Sequence, residues 1–393
     1  VDFRDTPEEA SFRAELRSWL EGALGKDWAD QAPTVGRWNE AESRTWSKKL
    51  YDAGYVGITW PKEYGGGGHP HEFQGIFLEE SARMSAPDHI GGIGLGMAGP
   101  TIIAWGTDEQ KQRYLQPLLE GTEVWCQGFS EPGSGSDMGA AKTRAVLDGD
   151  EWVVNGQKVW SSWAHIADWC ILVVRTDPDA EKHRGLSYLL VDMHAPGVEV
   201  RPLRQITGDP EFNEIFFTDV RVPRDSILGQ PGDGWNVAMT TLLHERGTLG
   251  FALTAGLEKA VNRLVQLAKE PGPDGTRPAD DPVVRDQIAQ FWIDLQGLRF
   301  TNYRALTALQ KTGVPGPEGS MAKLHWSETN QRLTSFAQSL LGLTSQLDAE
   351  GAWWDGFWTY MQLRSRGNTI EAGTSEILRN IIAERVVGLP KSR

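Results

Sequence analysis

Cysteine is nearly missing from this chain: Cys126 and Cys170 are the only two in 393 residues. That excludes a multi-disulfide scaffold and suits a reducing compartment. Basic charge is also short, with 39 Lys and Arg against 53 Asp and Glu and a formal net charge of −14. Nucleic acid requires a basic footprint, so no nucleic-acid partner is expected. No apolar run approaches the roughly 20 residues a membrane helix needs, so no membrane partner is expected either. The opening residues carry Asp2, Asp5, Glu8 and Glu9, the wrong charge for a signal or transit peptide. The expectation is a cytoplasmic protein. Cys and acidic clusters are lacking around His69 and His71 of "HPHE", so no metal site is expected from that pair. Repeats and low-complexity tracts do not occur.

What is present is an ordinary globular composition, 39% hydrophobic and 23% charged, in a chain long enough for two or three cooperating domains. Seventeen tryptophans are many. They suit core and interface packing, or the wall of a cavity for a large flat ligand. The stretch "TPEEASFRAELRSWLEGALG" reads as a helix, with Thr6 and Glu9 forming a capping box and Pro7 at its first position. Further helices are expected over about 38–53 and 72–84. Another follows Thr107, where Thr107 and Gln110 form a second capping box and Gly121 is the stop. After Gly121 the period changes. "VLDGDEWVVNGQKVWSSW" carries turn signals at Asp148-Gly149 and Asn155-Gly156 between alternating apolar residues, and "DWCILVVRT", "GLSYLLVDM", "GVEVRPL" and "EIFFTDVRVP" read as strands. From Gly234 helical signals return over about 235–269, 282–311, 320–346 and 375–387. Helices, then strands, then a helical bundle make an α+β protein with segregated domains, expected at 1–121, 122–230 and 231–393.

Several stretches carry chemistry. "GLGMAG" at 94–99 has the glycines of a dinucleotide turn, but no strand precedes it and Pro100 follows. Close packing of small residues on a helix is therefore the better reading. In "FSEPGSGSDMG" at 129–139, Gly133 and Gly135 let successive N–H groups converge, and Ser130, Ser134 and Ser136 add hydroxyls. Such a nest suits a phosphate or a polar ring edge, and a decorated turn has the same composition. "GQKVWSSWA" puts Trp160 beside Ser161 and Ser162 at a strand end, where an indole can cover a flat heteroaromatic ring and a hydroxyl can reach its heteroatom. An ordinary amphipathic strand fits this stretch equally well. Glu245 and Arg246 stand among apolar residues of a helix, where an acid is costly unless paired or functional.

Taken together, "WCQGFSEPGSGSD", "VNGQKVWSSWA", the "ERG" of the first bundle helix and "IEAGTSEILRN" resemble the acyl-CoA dehydrogenase family of flavoproteins, in its order and spacing, over essentially the whole chain. The resemblance implies an α-helical N-terminal domain, a β-barrel-like middle domain and a C-terminal four-helix bundle. It implies non-covalent FAD, oxidation of an acyl-CoA thioester to its trans-2-enoyl form, and electron-transferring flavoprotein as acceptor. Position by position, Gln127, Phe129 and Ser130 correspond to the loop at the flavin ring, Trp160 and Ser162 to the residues over the ring and near its N5, and Thr374 and Glu376 to positions near the FAD. Gly135 and Ser136 correspond to the loop near the phosphates and the thioester ligand. Many relatives place the base directly before the Gly-Thr of the last motif, where this chain has Ala372, followed by Gly373. In that case the Ala372 N–H can hold the thioester oxygen, and Glu245, beside Arg246, is the expected base, as in isovaleryl- and long-chain-type enzymes. Glu371, one residue early, is not expected to serve. The Arg and Phe-Gly that usually reach a partner's FAD are replaced by "DGTRPADDPVVRDQ", leaving Arg277 and Arg285 as the cations of that stretch. That departure resembles bacterial branches that form α2β2 tetramers from two different subunits and act on bulky steroid-side-chain thioesters. A homotetramer, a half-competent subunit of a heterotetramer and an acyl-CoA oxidase are the alternatives.

Overall fold

The structure, a computed structural model, describes residues 4–25, 28, 39–272, 275–312, 316–347 and 352–391, with the side chains of 245–249, 312 and 353 outside that set. The chain divides into two compact units, one of Val1–Arg37, Pro70–Ala86 and Arg246–Arg393, the other of Trp38–His69 and Pro87–Glu245.

In the first unit, α1 (Pro7–Leu24) starts where its capping signals predict. Thr6 accepts from the Glu9 N–H, and the Glu9 carboxylate accepts from the Thr6 N–H at 2.6 Å. α1 lies against α3 (His71–Arg83) through Phe12 and Phe73, whose rings meet edge to face at 5.0 Å. Glu80 of α3 is 2% exposed and is surrounded by cations: Arg17 binds it at 2.6 and 2.9 Å, and Arg13 reaches it at 2.6 Å. Burial pushes the Glu80 carboxyl up, but the two guanidinium groups outweigh it and hold it below the ordinary range.

The rest of this unit is helical: α6 (Gly234–Lys269, of which the part from Arg246 belongs here), α7 (Pro282–Thr312), α8 (Glu318–Leu341), α9 (Phe357–Asn368) and α10 (Ser375–Arg385). Leu264, Leu295, Leu298, Leu333, Ala337 and Trp358 share one core. α6 and α7 approach closely at Gly250, where a Cβ would stand 2.4 Å from the Asn302 amide oxygen. Asn302 uses that approach to donate to the Gly250 carbonyl at 2.7 Å. α9 is absent from the sequence-based expectations. Its N-cap, Gly356, offers no side-chain cap, and it follows two left-handed residues, Trp354 and Asp355, so none of the usual start signals occurs. The expected 320–346 helix ends sooner, at Leu341, and continues as a 3-10 turn over Gly342–Gln346.

The second unit is built on one curled sheet, formed by β1 (Trp125–Gly128), β2 (Arg144–Asp148), β3 (Glu151–Ser162), β4 (Trp169–Arg175), β5 (Leu186–Asp192), β6 (Val198–Leu203) and β7 (Phe212–Pro223). The order is β1-β4-β2-β3-β7-β6, with β5 paired to β4. Val154, Cys170, Leu172, Val174, Ile215 and Val220 lie in its core. Cys126 and Cys170 are both free and stand opposite each other on the parallel β1–β4 pair. α2 (Glu40–Asp52), α4 (Gly99–Trp105) and α5 (Asp108–Glu120) complete the unit. α5 has the expected Thr107–Gln110 capping box. Its Tyr114 sets its ring edge-on to Trp125 and Trp169, which stack on each other at 5.9 Å, so this tryptophan pair serves packing.

One turn signal misled. Asp148-Gly149 does close the β2–β3 hairpin, but Asn155-Gly156 lies inside β3, at an irregularity in its pairing with β7. Gly156 is needed there because it presses against Thr143: a Cβ would meet the Thr143 hydroxyl at 2.5 Å. "GLGMAG" is a π-helical turn, Gly94–Ala98, leading into α4. Its last glycine admits Trp60, whose ring lies 2.1 Å from where a Gly99 Cβ would be, which is the close packing expected. Among the described residues no helix is long and apolar enough to cross a membrane.

Candidate active site

Each unit carries part of the chemistry read from the sequence. In the sheet unit, Gln127 lies half-buried near the end of β1, in register with Ile171 of β4. Phe129 follows the strand, buried at 7% exposure and edge-on to Tyr188 at 5.8 Å. The loop then tightens: Glu131 and Ser134 exchange both backbone hydrogen bonds, at 2.8 and 3.0 Å, and the Ser134 hydroxyl donates to the Asp137 carbonyl at 2.6 Å. Ser136 stands exposed at its outer side. Ser130 joins this loop to β3, since its carbonyl accepts from the Val159 N–H at 2.9 Å. The Ser130 N–H makes no hydrogen bond with a described residue.

β3 breaks its pairing with β7 between Lys158 and Ser161. Trp160 sits in that bulge with φ +61°, a conformation rare for so bulky a residue. The bulge throws its indole outward, 60% exposed, with Phe212 edge-on at 6.0 Å. Ser162, half-buried, is back in register with Phe212. Ser161, which no sequence signal distinguished from its neighbour, is the buried one, and its hydroxyl has no partner among the described residues. An exposed indole face, with a buried hydroxyl and a backbone N–H that have no partner among the described residues on adjoining segments, fits a flat heteroaromatic ring with a polar edge.

Two residues beneath this arrangement carry no signal in the sequence. Lys158 is 0% exposed; its ammonium donates to the Phe129 carbonyl at 3.1 Å and to the Glu131 carboxylate at 2.9 Å. Glu131 also accepts from the backbone N–H groups of Lys142 and Thr143, at 2.7 and 2.8 Å. Burial pushes the Glu131 carboxyl up, but Lys158 and those two N–H donors hold it below its ordinary value. The pair was invisible in the sequence because its members lie on different elements and meet only when the sheet forms.

In the helical unit, the turn from α9 to α10 holds the second group. Ala372 has φ +50° and Gly373 φ +94°. For alanine that conformation costs about 1–2 kcal/mol, so the surrounding structure must impose it. Lys323 of α8, 4% exposed, does so by donating to the carbonyls of Asn368 and Gly373, each at 2.7 Å. The Ser375 N–H donates to the Thr369 carbonyl at 2.9 Å and closes the turn. The Ala372 N–H makes no hydrogen bond with a described residue. Glu371 points away from this use: its carboxylate accepts from Arg364 at 2.9 and 3.2 Å and from the Asn368 amide at 2.8 Å. Thr374 caps α10, its hydroxyl accepting from the Ile377 N–H. Glu376 is exposed in the first helical turn, where its own N–H and the Thr374 hydroxyl hold its carboxyl below the ordinary value. A cavity of about 690 Å³ opens beside it, lined by Gln287, Phe291, Arg332, Arg366, Ser375 and Glu376. The Ser375 hydroxyl in its wall is buried and has no partner among the described residues.

Glu245 and Arg246 lie on α6, and their side chains are outside the described residues. The connection after α6 uses its cations locally. Arg277 pairs with Asp280, and Arg285 donates to the carbonyls of Ala279 and Asp280.

Residues 6–122, 126–220 and 232–387 match, in turn, the N-terminal, middle and C-terminal domains of acyl-CoA dehydrogenases. The chain is 43% identical over 387 residues to acyl-CoA dehydrogenase IpdE1 of Mycobacterium tuberculosis, covering 97% of each. Two solved structures align over the whole of both chains at 31% identity. One is the Tcur3481-Tcur3483 steroid ACAD, with a TM-score of 0.87. The other is the ChsE4-ChsE5 complex from Mycobacterium tuberculosis, with a TM-score of 0.86. With all three domains matched in order, the chain belongs to the acyl-CoA dehydrogenase family of oxidoreductases.

Proposed function

We propose that this chain carries out FAD-dependent α,β-dehydrogenation of an acyl-CoA thioester with a bulky acyl group, of the steroid-side-chain kind, giving the trans-2-enoyl-CoA. FAD supplies the hydride acceptor for the β carbon. The chain's own residues do the rest. Gln127, Phe129, Ser130, Trp160 and Ser162 hold the ring, while Thr374 and Glu376 contact the cofactor at the start of α10. The Ala372 N–H, beside Gly373, holds the thioester oxygen and stabilises negative charge as the α proton leaves. Ser136 and Arg246 bind substrate. Glu245 takes the α proton, and exclusion of water by the substrate strengthens it as a base.

The observation that carries this reading is the α9–α10 turn. It leaves the Ala372 N–H without a partner among the described residues and commits the neighbouring Glu371 carboxylate to Arg364 and Asn368. A base must then come from elsewhere, and the "ERG" motif, which resembles that of relatives with a base on the bundle helix, supports Glu245 in that role. The steroid assignment is supported by the likeness to a solved steroid ACAD. Electron-transferring flavoprotein is the proposed acceptor.

The experiment is anaerobic bleaching of the purified flavoprotein by short, branched, long and steroid thioesters, with E245Q and E371Q alongside. Expected are fastest bleaching by the bulky thioesters, a loss of about 10²–10⁴-fold in E245Q, and near-normal rates in E371Q. Full activity in E245Q overturns the base assignment. Peroxide formed stoichiometrically during aerobic turnover would make the chain an oxidase instead.

A second reading has its own observation. Arg277 and Arg285 are engaged within their own connection. In this reading a paralogous subunit completes FAD binding, in an α2β2 tetramer rather than a homotetramer. The ChsE4-ChsE5 complex is a two-component relative. A sub-stoichiometric flavin content of the chain alone, corrected by co-expression with a paralogue, would favour it.

A further inference from the structure

The buried ion pair under the Phe129–Ser130 loop does something that packing does not require. A hydrophobic side chain would fill the Lys158 position without the cost of burying a charge, and such replacements of buried pairs are often neutral or stabilising. The charge is placed against one particular peptide group. Lys158 Nζ lies 3.1 Å from the Phe129 carbonyl, and the N–H on the other side of that same peptide is the Ser130 N–H, which has no partner among the described residues.

We propose that Lys158, paired with Glu131, is a positioning residue for the cofactor: its ammonium polarises the Phe129–Ser130 peptide and makes the Ser130 N–H a strengthened donor to the polar edge of FAD. This rests on the FAD reading above. A cation bonded to an amide oxygen draws electron density toward that oxygen and leaves the N–H more positive. Hydrogen bonds linked in this way reinforce one another by roughly 10–30% each. Glu131 keeps the ammonium in place and ties it to the Lys142 and Thr143 N–H groups. The same lysine precedes the bulge that turns Trp160 outward. Reduction places negative charge at the pyrimidine edge of a flavin, and a stronger donor there favours the reduced form.

The test uses the full chain. Apoprotein of wild type, K158M, K158R and E131Q is titrated with FAD, the apoprotein melting temperature is recorded, and the reduction potential of the bound flavin is measured by dye equilibration. K158M and E131Q are each expected to weaken FAD by roughly two- to fivefold, the size of that reinforcement on one hydrogen bond, and to shift the potential to more negative values, with K158R recovering part of both. E131Q keeps the side-chain shape, so it carries the test if K158M fails to fold. Wild-type FAD affinity and potential in E131Q would overturn the proposal. So would an FAD loss matched by apoprotein melting with the potential unchanged, which is the signature of a structural role alone. A wild-type chain that binds no FAD, alone or co-expressed with a paralogous subunit, defeats the FAD reading and this inference with it; wild-type binding with indifferent variants defeats the inference alone.

Discussion

Two buried lysines, one in each unit, hold the two loops that carry the candidate chemistry, and they do it with different partners. Lys158 on the sheet binds one carbonyl and one carboxylate. Lys323 in the bundle binds two carbonyls. The Asn368 carbonyl belongs to the last residue of α9, and such terminal carbonyls lack helical partners and lie at the negative end of the helix dipole. A cation is favoured there. The sheet loop offers no such end, and Glu131 supplies the negative charge while also collecting two backbone N–H groups. The nearby carboxylate of the bundle turn, Glu371, is drawn off by Arg364.

This contrast can be broken by mutation. The largest effect is expected from K158M, which strands Glu131: a loss of about 3–5 kcal/mol by urea unfolding, with E131Q/K158M recovering part of it. The pair also sets an acid limb. Because the Glu131 carboxyl lies below its unfolded value, its contribution is present above the ordinary carboxylate range and is lost as pH falls through the depressed value. E131Q should flatten that limb. K323M comes next, at about 2–3 kcal/mol, since it leaves one buried and one partly buried carbonyl without their charged donor. Parity with K158M would mean that stranded helix-end carbonyls cost as much as a stranded carboxylate. E371Q is expected to cost under about 1 kcal/mol, because its pair with Arg364 is partly exposed and screened. The smallest effect belongs to A372G, a gain of less than about 1 kcal/mol by thermal unfolding from relief of the left-handed alanine, offset by chain entropy. A loss there would show that the turn is not strained.

How much could be read in advance depended on distance along the chain. The capping boxes at Thr6–Glu9 and Thr107–Gln110 were legible because three residues define them. The change of period at Gly121 announced the sheet. Asn155-Gly156 misled because the same dipeptide serves a turn and a bulge, and only contact with Thr143 decides which. α9 escaped because it begins after left-handed residues without a side-chain cap. In the candidate site, Trp160 and Ala372 could be named from their motifs, but their left-handed backbones could not. Ser161 rather than Ser162 became the buried, unpartnered hydroxyl through the bulge in β3, which depends on pairing with β7.

By itself, then, the sequence determined what short-range chemistry can specify: the segregation of helices and strands, the helix caps, and the motifs that carry the family resemblance. Tertiary structure alone decided which charges are buried and against what. Lys158 meets Glu131 from 27 positions away and Lys323 meets Gly373 from 50, because an ammonium removed from water must find whatever acceptors the folded chain brings to it.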